Sequence, residues 1–417
     1  MTDPTPDISP LDTAEIRRDF PILDRDMNGK RLVFLDSAAS SQKPRQVIDA
    51  MGAFYEHSYA NVHRGVYAIA EEATNEMEGA RSAVARFIGA PSAEIVFTKN
   101  ATEALNLVAQ SWGRANLGPG DAVVLTQMEH HANIVPWQML SAELGFEIRW
   151  IPIQLDGFLD LSTLDVLLDG AKMVSITAMS NVTGTRPDLD LIIGAAHTAG
   201  ALVTVDACQS VPHHRTDVAG MDADFVAFSA HKMCGPTGVG VLWGRAELLD
   251  AMPPFLGGGG MILDVTLDGF RPDAVPGKFE AGTPPIAETV GLKAAVEYLE
   301  SIGMERIEAH EGRLTATAMR ILTERFGDEL TIHGPAEPAA RGGVLSMTLA
   351  DVHPHDLAQV LDTHAVCVRP GHHCAKPLMR VLGVGATARA SVYLYNDEDD
   401  IHALADGLAE AADMFRL

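Results

Sequence analysis

A lysine in a glycine-rich turn, straight after an apolar run, is the first group in this chain able to do covalent chemistry. Phe225-Val226-Ala227-Phe228-Ser229 reads as a short strand, and Ala230, His231 and Lys232 turn out of it. Gly235, Gly238 and Gly240 follow, with a second apolar run from Val239 to Trp243. A lysine just past a strand end can be held over a pocket and partly desolvated. Burial disfavours the ammonium and frees the amine as a Schiff-base nucleophile. A solvated loop lysine fits the same residues, so the weight falls on its company. The second group is Arg369-Pro370-Gly371-His372-His373-Cys374-Ala375, with Arg389 beyond it. Imidazoles and a guanidinium beside a cysteine can favour the thiolate, and an arginine on a strand suits bidentate capture of a carboxylate. Cys374 as a small buried hydrophobe is the plain alternative, but Gly, His and Ala neighbours do not make a core strand. Zinc would accept His372, His373, Cys374 and Cys367 as ligand types, although three contiguous ligands give poor tetrahedral geometry. Cys208, Cys234 and Cys367 read as structural.

The elements that must position these groups alternate. Glu94 to Thr98, Ala122 to Thr126, Ile148 to Ile153, Met173 to Ala178, Ala201 to Val205 and Phe225 to Ser229 are strand-like. Helix-length segments lie between most of them, including Glu103 to Trp112, Ile134 to Leu144 and Asp190 to Ala199. Such alternation predicts parallel strands joined by right-handed crossovers, with the chemistry outside the carboxyl ends of the strands. Asp206 stands at one such end with Gln209 close behind. It is either a cap or a carboxylate for the protonated pyridine nitrogen of pyridoxal phosphate (PLP), a pairing that keeps that ring an electron sink. Asn100-Ala101-Thr102-Glu103 opens a helix, a natural phosphate site if Thr102 is more than a cap. Glu129-His130-His131 offers a metal pair or a ring stacked on an aromatic cofactor. Asn181 can donate to an oxygen. Taken together, these strand ends describe one PLP pocket.

The later part changes pattern. A long helix is predicted from Thr289 to Ser301 and another from Glu305 to Phe326, with strands at Leu330 to His333, Gly343 to Leu349, Val366 to Arg369 and Thr387 to Tyr393. Helices at Pro354 to Thr363 and from Asp397 complete a smaller α+β unit. The division predicted is an N-terminal arm over 1–30 that packs with the small domain, a large domain over 31–290, and a small domain over 291–417 carrying the cysteine loop. The 417 residues suffice for a large core. A net charge of −25 disfavours nucleic-acid binding. Apolar runs are too short for a membrane span, and Thr2 to Asp12, polar and without a base, argues against a signal peptide. Four cysteines with no CxxC pair suggest a reducing compartment, hence the cytoplasm.

From about Phe20 to its end, the chain resembles the class V aminotransferase group of fold-type I PLP enzymes, and within it the SUF-type cysteine desulfurases. The segments that carry the resemblance are Asn61-Val62-His63-Arg64-Gly65, Glu129-His130-His131-Ala132-Asn133, Ser229-Ala230-His231-Lys232, Phe279-Glu280-Ala281-Gly282-Thr283-Pro284 and the Arg369 to Ala375 loop. The resemblance implies an α/β fold with a mainly parallel seven-stranded sheet and a smaller α+β domain. It implies that Lys232 holds PLP, Asp206 meets the ring nitrogen, Gln209 meets the phenolic oxygen and His130 stacks on the ring. Ala101, Thr102, Ser229 and His231 would hold the phosphate, with Thr283 reaching in from the second subunit of a homodimer. Asn181, Arg389, His63 and Arg369 would bind substrate L-cysteine, and Cys374, on a flexible loop between Gly371 and Pro377, would take its sulfur as a persulfide and leave alanine. Pro370 and Tyr67 depart from the usual residues of the family. Val352-His353-Pro354-His355 further resembles desulfurases that pass sulfur to a SufU-like or SufE-like acceptor, with His355 engaging it, for iron–sulfur cluster assembly. A selenocysteine lyase would use the same scaffold; a transaminase or kynureninase-like lyase would not need Cys374; a non-enzymatic metal or Fe–S carrier would need no PLP.

Overall fold

The computed structural model describes residues 9–415. Its centre is a seven-stranded sheet of β1 (Ile95–Thr98), β2 (Ala122–Thr126), β3 (Glu147–Ile151), β4 (Ala171–Thr177), β5 (Leu202–Asp206), β6 (Phe225–Ser229) and β7 (Gly240–Gly244), in the order β1-β7-β6-β5-β4-β2-β3. β6, β5, β4, β2 and β3 run parallel, while β7 opposes both β6 and β1. Successive side chains point to opposite faces of a strand, and both faces here are covered. Val203, Val205, Val226 and Phe228 enter one core layer, whereas Phe225, Ala227, Val123 and Leu125 enter the other. This is why the strands read as continuous apolar runs rather than alternating ones.

The first layer is closed by two long helices packed on each other, α1 (Ala68–Phe87) and α3 (Ile286–Ile302), whose Met77, Ala80, Leu292 and Val296 are buried in it. On the other face lies α2 (Ala101–Leu107). Its first turn is capped by the Asn100 side chain, which accepts from the Glu103 N–H at 3.0 Å. The cap is therefore Asn100, and Thr102 is left exposed with its hydroxyl free of that duty. Gly240 lets β7 approach this turn, since a Cβ there would stand 2.5 Å from Asn100 Cα.

Beyond α3, α4 (Met304–Phe326), α5 (Pro354–Thr363) and α6 (Glu398–Phe415) cover an antiparallel sheet of β8 (Leu330–His333), β9 (Val344–Leu349), β10 (Arg369–Gly371) and β11 (Thr387–Ser391), in the order β8-β9-β11-β10. The strand predicted from Val366 to Arg369 is two pieces. Val366–Cys367 pairs with Val33–Phe34, and the chain then crosses to the sheet as β10. Pro370 sits in β10, an edge strand, where its missing N–H costs no ladder bond. Phe20 of the N-terminal segment is fully buried, with its ring 4.9 Å from that of Tyr395 and 5.8 Å from that of Tyr298. Burying such a side chain is worth about 2 kcal/mol.

Candidate functional site

The parallel strands end together, which brings Thr126, Thr177, Asp206 and Ser229 to one side of the sheet. Lys232 stands just beyond β6 on the tight turn Ala230–Lys232. The peptide leading into it has little freedom. The His231 carbonyl accepts from Ser41 N at 3.0 Å, Ser40 Oγ at 3.1 Å, Ser41 Oγ at 3.2 Å and Lys43 Nζ at 3.1 Å. Burial pulls the Lys43 amine down to about 8. None of these donors was singled out in the sequence.

Lys232 opens onto a cavity of about 580 Å³ that Asp206, His130, Asn181, Arg389 and Cys374 also line. Asp206 is buried, and its Oδ1 accepts from Cys208 N at 3.0 Å. His130 Nδ1 accepts from Ala132 N at 3.1 Å, which places the ring hydrogen on Nε2. Burial and the Lys232 charge pull His130 down to about 4, so it is a neutral, flat group at pH 7. Glu129 fixes the turn that carries it, accepting from Thr126 Oγ at 2.6 Å, Thr177 N at 3.0 Å and Asn133 Nδ2 at 2.7 Å. Burial nonetheless pushes this carboxyl up to about 8. Gln209 uses Nε2 to reach Ala38 O at 2.7 Å and leaves Oε1 buried without a partner. Ser229, His231 and Thr102 line the same end. Ala101 lines it too, but its N–H is already donated to Ser229 Oγ at 2.8 Å, so the group left for an anion is the serine O–H.

The cysteine end is built differently. Cys374 is exposed, while Cys234 is buried and Cys208 and Cys367 are half-buried. His373 and Cys374 have φ of 50° and 56°, two consecutive side-chain-bearing residues in the left-handed region. The turn is tethered at three points. His131 N donates to Cys374 O at 2.7 Å, Asn181 Nδ2 to His373 O at 2.7 Å, and Lys376 N to His131 Nε2 at 3.0 Å. These tethers keep a strained backbone in place. His373 is buried against Thr387 Oγ at 2.8 Å, and burial beside Arg389 pulls it down to about 3. It is therefore neutral and brings no charge to the sulfur. The positive groups that feel Cys374 are Arg369 and Arg389.

Asn181 lines the cavity, where its Nδ2 gives one of its two hydrogens to His373 O at 2.7 Å and its backbone carbonyl accepts from Arg389 Nη1 at 2.9 Å. His63 and Thr283 lie elsewhere in the single chain, on a second cavity of about 720 Å³ with Arg81 and Glu280. The carboxylate that sequence reasoning missed is Asp36, which meets both Arg369 and Arg389. Among the described residues no group of three or more His, Cys, Asp or Glu is placed to hold a metal, and no helix is long and apolar enough to cross a membrane.

A parallel sheet with a lysine past one strand end, facing a carboxylate at the next, defines a class that comparison with known proteins makes explicit. The family model described as Aminotransferase class-V matches residues 33–404, and the chain belongs to that family. The chain is 52% identical over 412 residues to a probable cysteine desulfurase of Streptomyces coelicolor, covering 97% of this chain and 98% of the relative. It is 46% identical over 421 residues to a cysteine desulfurase of Haloferax volcanii, covering 97% and 98%. Its fold matches the apo structure of cysteine desulfurase from Thermococcus onnurineus NA1 with a TM-score of 0.92 at 40% identity, over 96% of this chain and 98% of that one. The cysteine desulfurase CsdA (S-sulfonic acid) from Escherichia coli matches with a TM-score of 0.89 at 38% identity, over 97% and 100%.

Proposed function

We propose that this chain is a PLP-dependent cysteine desulfurase that converts L-cysteine to L-alanine and takes up the sulfur as a persulfide on Cys374. The observation that carries the reading is the shared cavity. A strand-end lysine and the exposed cysteine line it together with a buried arginine. A transaminase has use for the first and third of these and none for the second.

The residues fit PLP. An amine, a buried carboxylate and a neutral flat imidazole share the cavity, and the Ser229 and Thr102 hydroxyls lie beside a helix N-terminus. Gln209 Nε2 has a second hydrogen beyond the one given to Ala38 O, available to an acceptor. When bound, PLP supplies an electron sink that makes the substrate's Cα–H acidic. Lys232 would hold it covalently and move the proton at Cα. Asp206 would keep the ring nitrogen protonated, and His130 would lie on the ring. Arg389 would take the substrate carboxylate. Cys374 Sγ would then attack the substrate sulfur, so that an S–S bond forms as the Cβ–S bond breaks, and alanine leaves after a proton reaches Cβ.

In this reading the second cavity, with His63 and Thr283, is completed by a second copy of the chain, each copy lending Thr283 to the other's phosphate site. The small domain, 291–417, would carry the cysteine turn against the large domain, 31–290, with the arm over 1–30 packed on the small one. The persulfide would pass to a SufU-like or SufE-like acceptor docking by exposed His355 at the cavity edge, in the cytoplasm, for iron–sulfur cluster assembly. The test is direct. Purified protein loaded with PLP and given L-cysteine and a thiol reductant should form alanine and sulfide in equal amounts with no keto acid present. A requirement for a keto acid, with no sulfide, would make it a transaminase.

A further inference from the structure

Asp36 follows the short strand Val33–Phe34 and bridges to Ser391 of β11. Its carboxylate meets two arginines at once. Arg369 donates from Nε to Oδ1 at 3.1 Å and Oδ2 at 3.2 Å, and from Nη2 to Oδ2 at 2.9 Å. Arg389 donates from Nη2 to Oδ1 at 3.3 Å. The two arginines differ in surroundings. The Arg369 side chain is half exposed, whereas that of Arg389 is 2% exposed. A buried guanidinium needs a counter-charge, and among the described residues Asp36 is the carboxylate paired with it.

The remaining donors of Arg389 are informative. Nη1 gives one hydrogen to Asn181 O and Nη2 one to Asp36, which leaves a second hydrogen on each and a buried Nε–H without a partner. The guanidinium fork is rigid and planar, so fixing Nη1 and Nη2 also fixes the direction of the three remaining N–H groups. The same Asp36 carboxylate grips Arg369, the first residue of the strand that runs on to the Cys374 turn.

We propose that Asp36 is a positioning residue for the substrate carboxylate: it neutralises and aims Arg389, leaving its remaining N–H groups for the amino acid, and locks that subsite to the strand that presents Cys374. This rests on the desulfurase reading above. It makes Asp36 matter for ligands that carry a carboxylate and not for otherwise identical ligands that lack one.

The experiment compares L-cysteine with L-cysteine methyl ester on the PLP-loaded protein, parent against Asp36→Asn. For L-cysteine, KM should rise by about tenfold, and kcat should fall by less than about threefold. Affinity for the ester, followed by titration of the visible PLP band, should stay within about twofold of the parent, and Asp36→Glu should recover most of the loss. Equal weakening of both ligands would mean a general structural role and would overturn the proposal, as would an unchanged KM for L-cysteine. Should Asp36→Asn not fold, Asp36→Ser is put through the same comparison, and the same results support or overturn the proposal. If the parent forms no alanine from cysteine, the desulfurase reading has failed, and the titration of the two ligands still decides the role of Asp36.

Discussion

Lys232 and Cys374 line one cavity, yet the two ends they occupy are built on opposite plans. The lysine turn grows out of a fully buried central strand, and four donors from a distant segment converge on the carbonyl before it. The cysteine sits exposed on a turn with two left-handed residues, held by three hydrogen bonds to His131 and Asn181 in the turns that follow β2 and β4. An anchor for a cofactor needs a fixed position. A sulfur that is to meet a substrate and then an acceptor, as proposed for Cys374, needs a presented atom on a tethered backbone. In the proposed function, the difference between the ends is the difference between those two duties.

The largest effect should come from removing the anchor. Lys232→Ala should lose the visible band of bound PLP and lower turnover by roughly 10⁴-fold or more, with the melting temperature close to that of the apo parent. Turnover near the parent rate would place the anchor elsewhere and erase the contrast.

A smaller effect concerns pH. His130 and His231 are drawn down to about 4 and His373 to about 3, chiefly by burial. Unfolded histidine titrates near ~6.5, so below that value the unfolded chain binds more protons than the folded one. The stability these groups lend is complete above about pH 6.5 and is lost as pH falls toward 4. Glu129, drawn up, has the opposite sign, but it is common to parent and variant. His373→Gln, which can keep the Thr387 bond, should flatten the fall in melting temperature between pH 6.5 and 4.5 by a few degrees, roughly 2–4 °C. An unchanged slope would mean that His373 is not held neutral.

The smallest expected change is at the outer edge. His355→Ala should form alanine in a first turnover within about twofold of the parent. It should lose stimulation by a SufU-like acceptor, measured as sulfide release with and without that protein. Undiminished stimulation would remove His355 from the docking site.

The lysine end was legible in the sequence because its information is local. Strands Ala122–Thr126 and Phe225–Ser229 have the predicted bounds, and the residues just beyond the strand ends do line one cavity. The cysteine end was legible in composition only. Its tethering depends on His131 and Asn181, which lie 243 and 192 positions from the atoms they bind, and Asp36 meets Arg389 from 353 positions away. A pairing at such separation leaves no periodicity or spacing to read. Nor could residue types alone separate the cap at Asn100 from Thr102 beside it, since both side chains can cap and only the backbone decides.

Everything proposed for the two ends depends on Cys374, and no other thiol, receiving the sulfur while PLP is held without its help. Parent protein and Cys374→Ala, both loaded with PLP, should be given one equivalent of L-cysteine and digested after a single turnover for mass spectrometry. In the parent, the peptide containing residue 374 should gain the mass of one sulfur. The variant should show a normal PLP band, with no labelled peptide and no alanine above background. Sulfur on Cys208, Cys234 or Cys367, or alanine from the variant at the parent's rate, would contradict this division of labour.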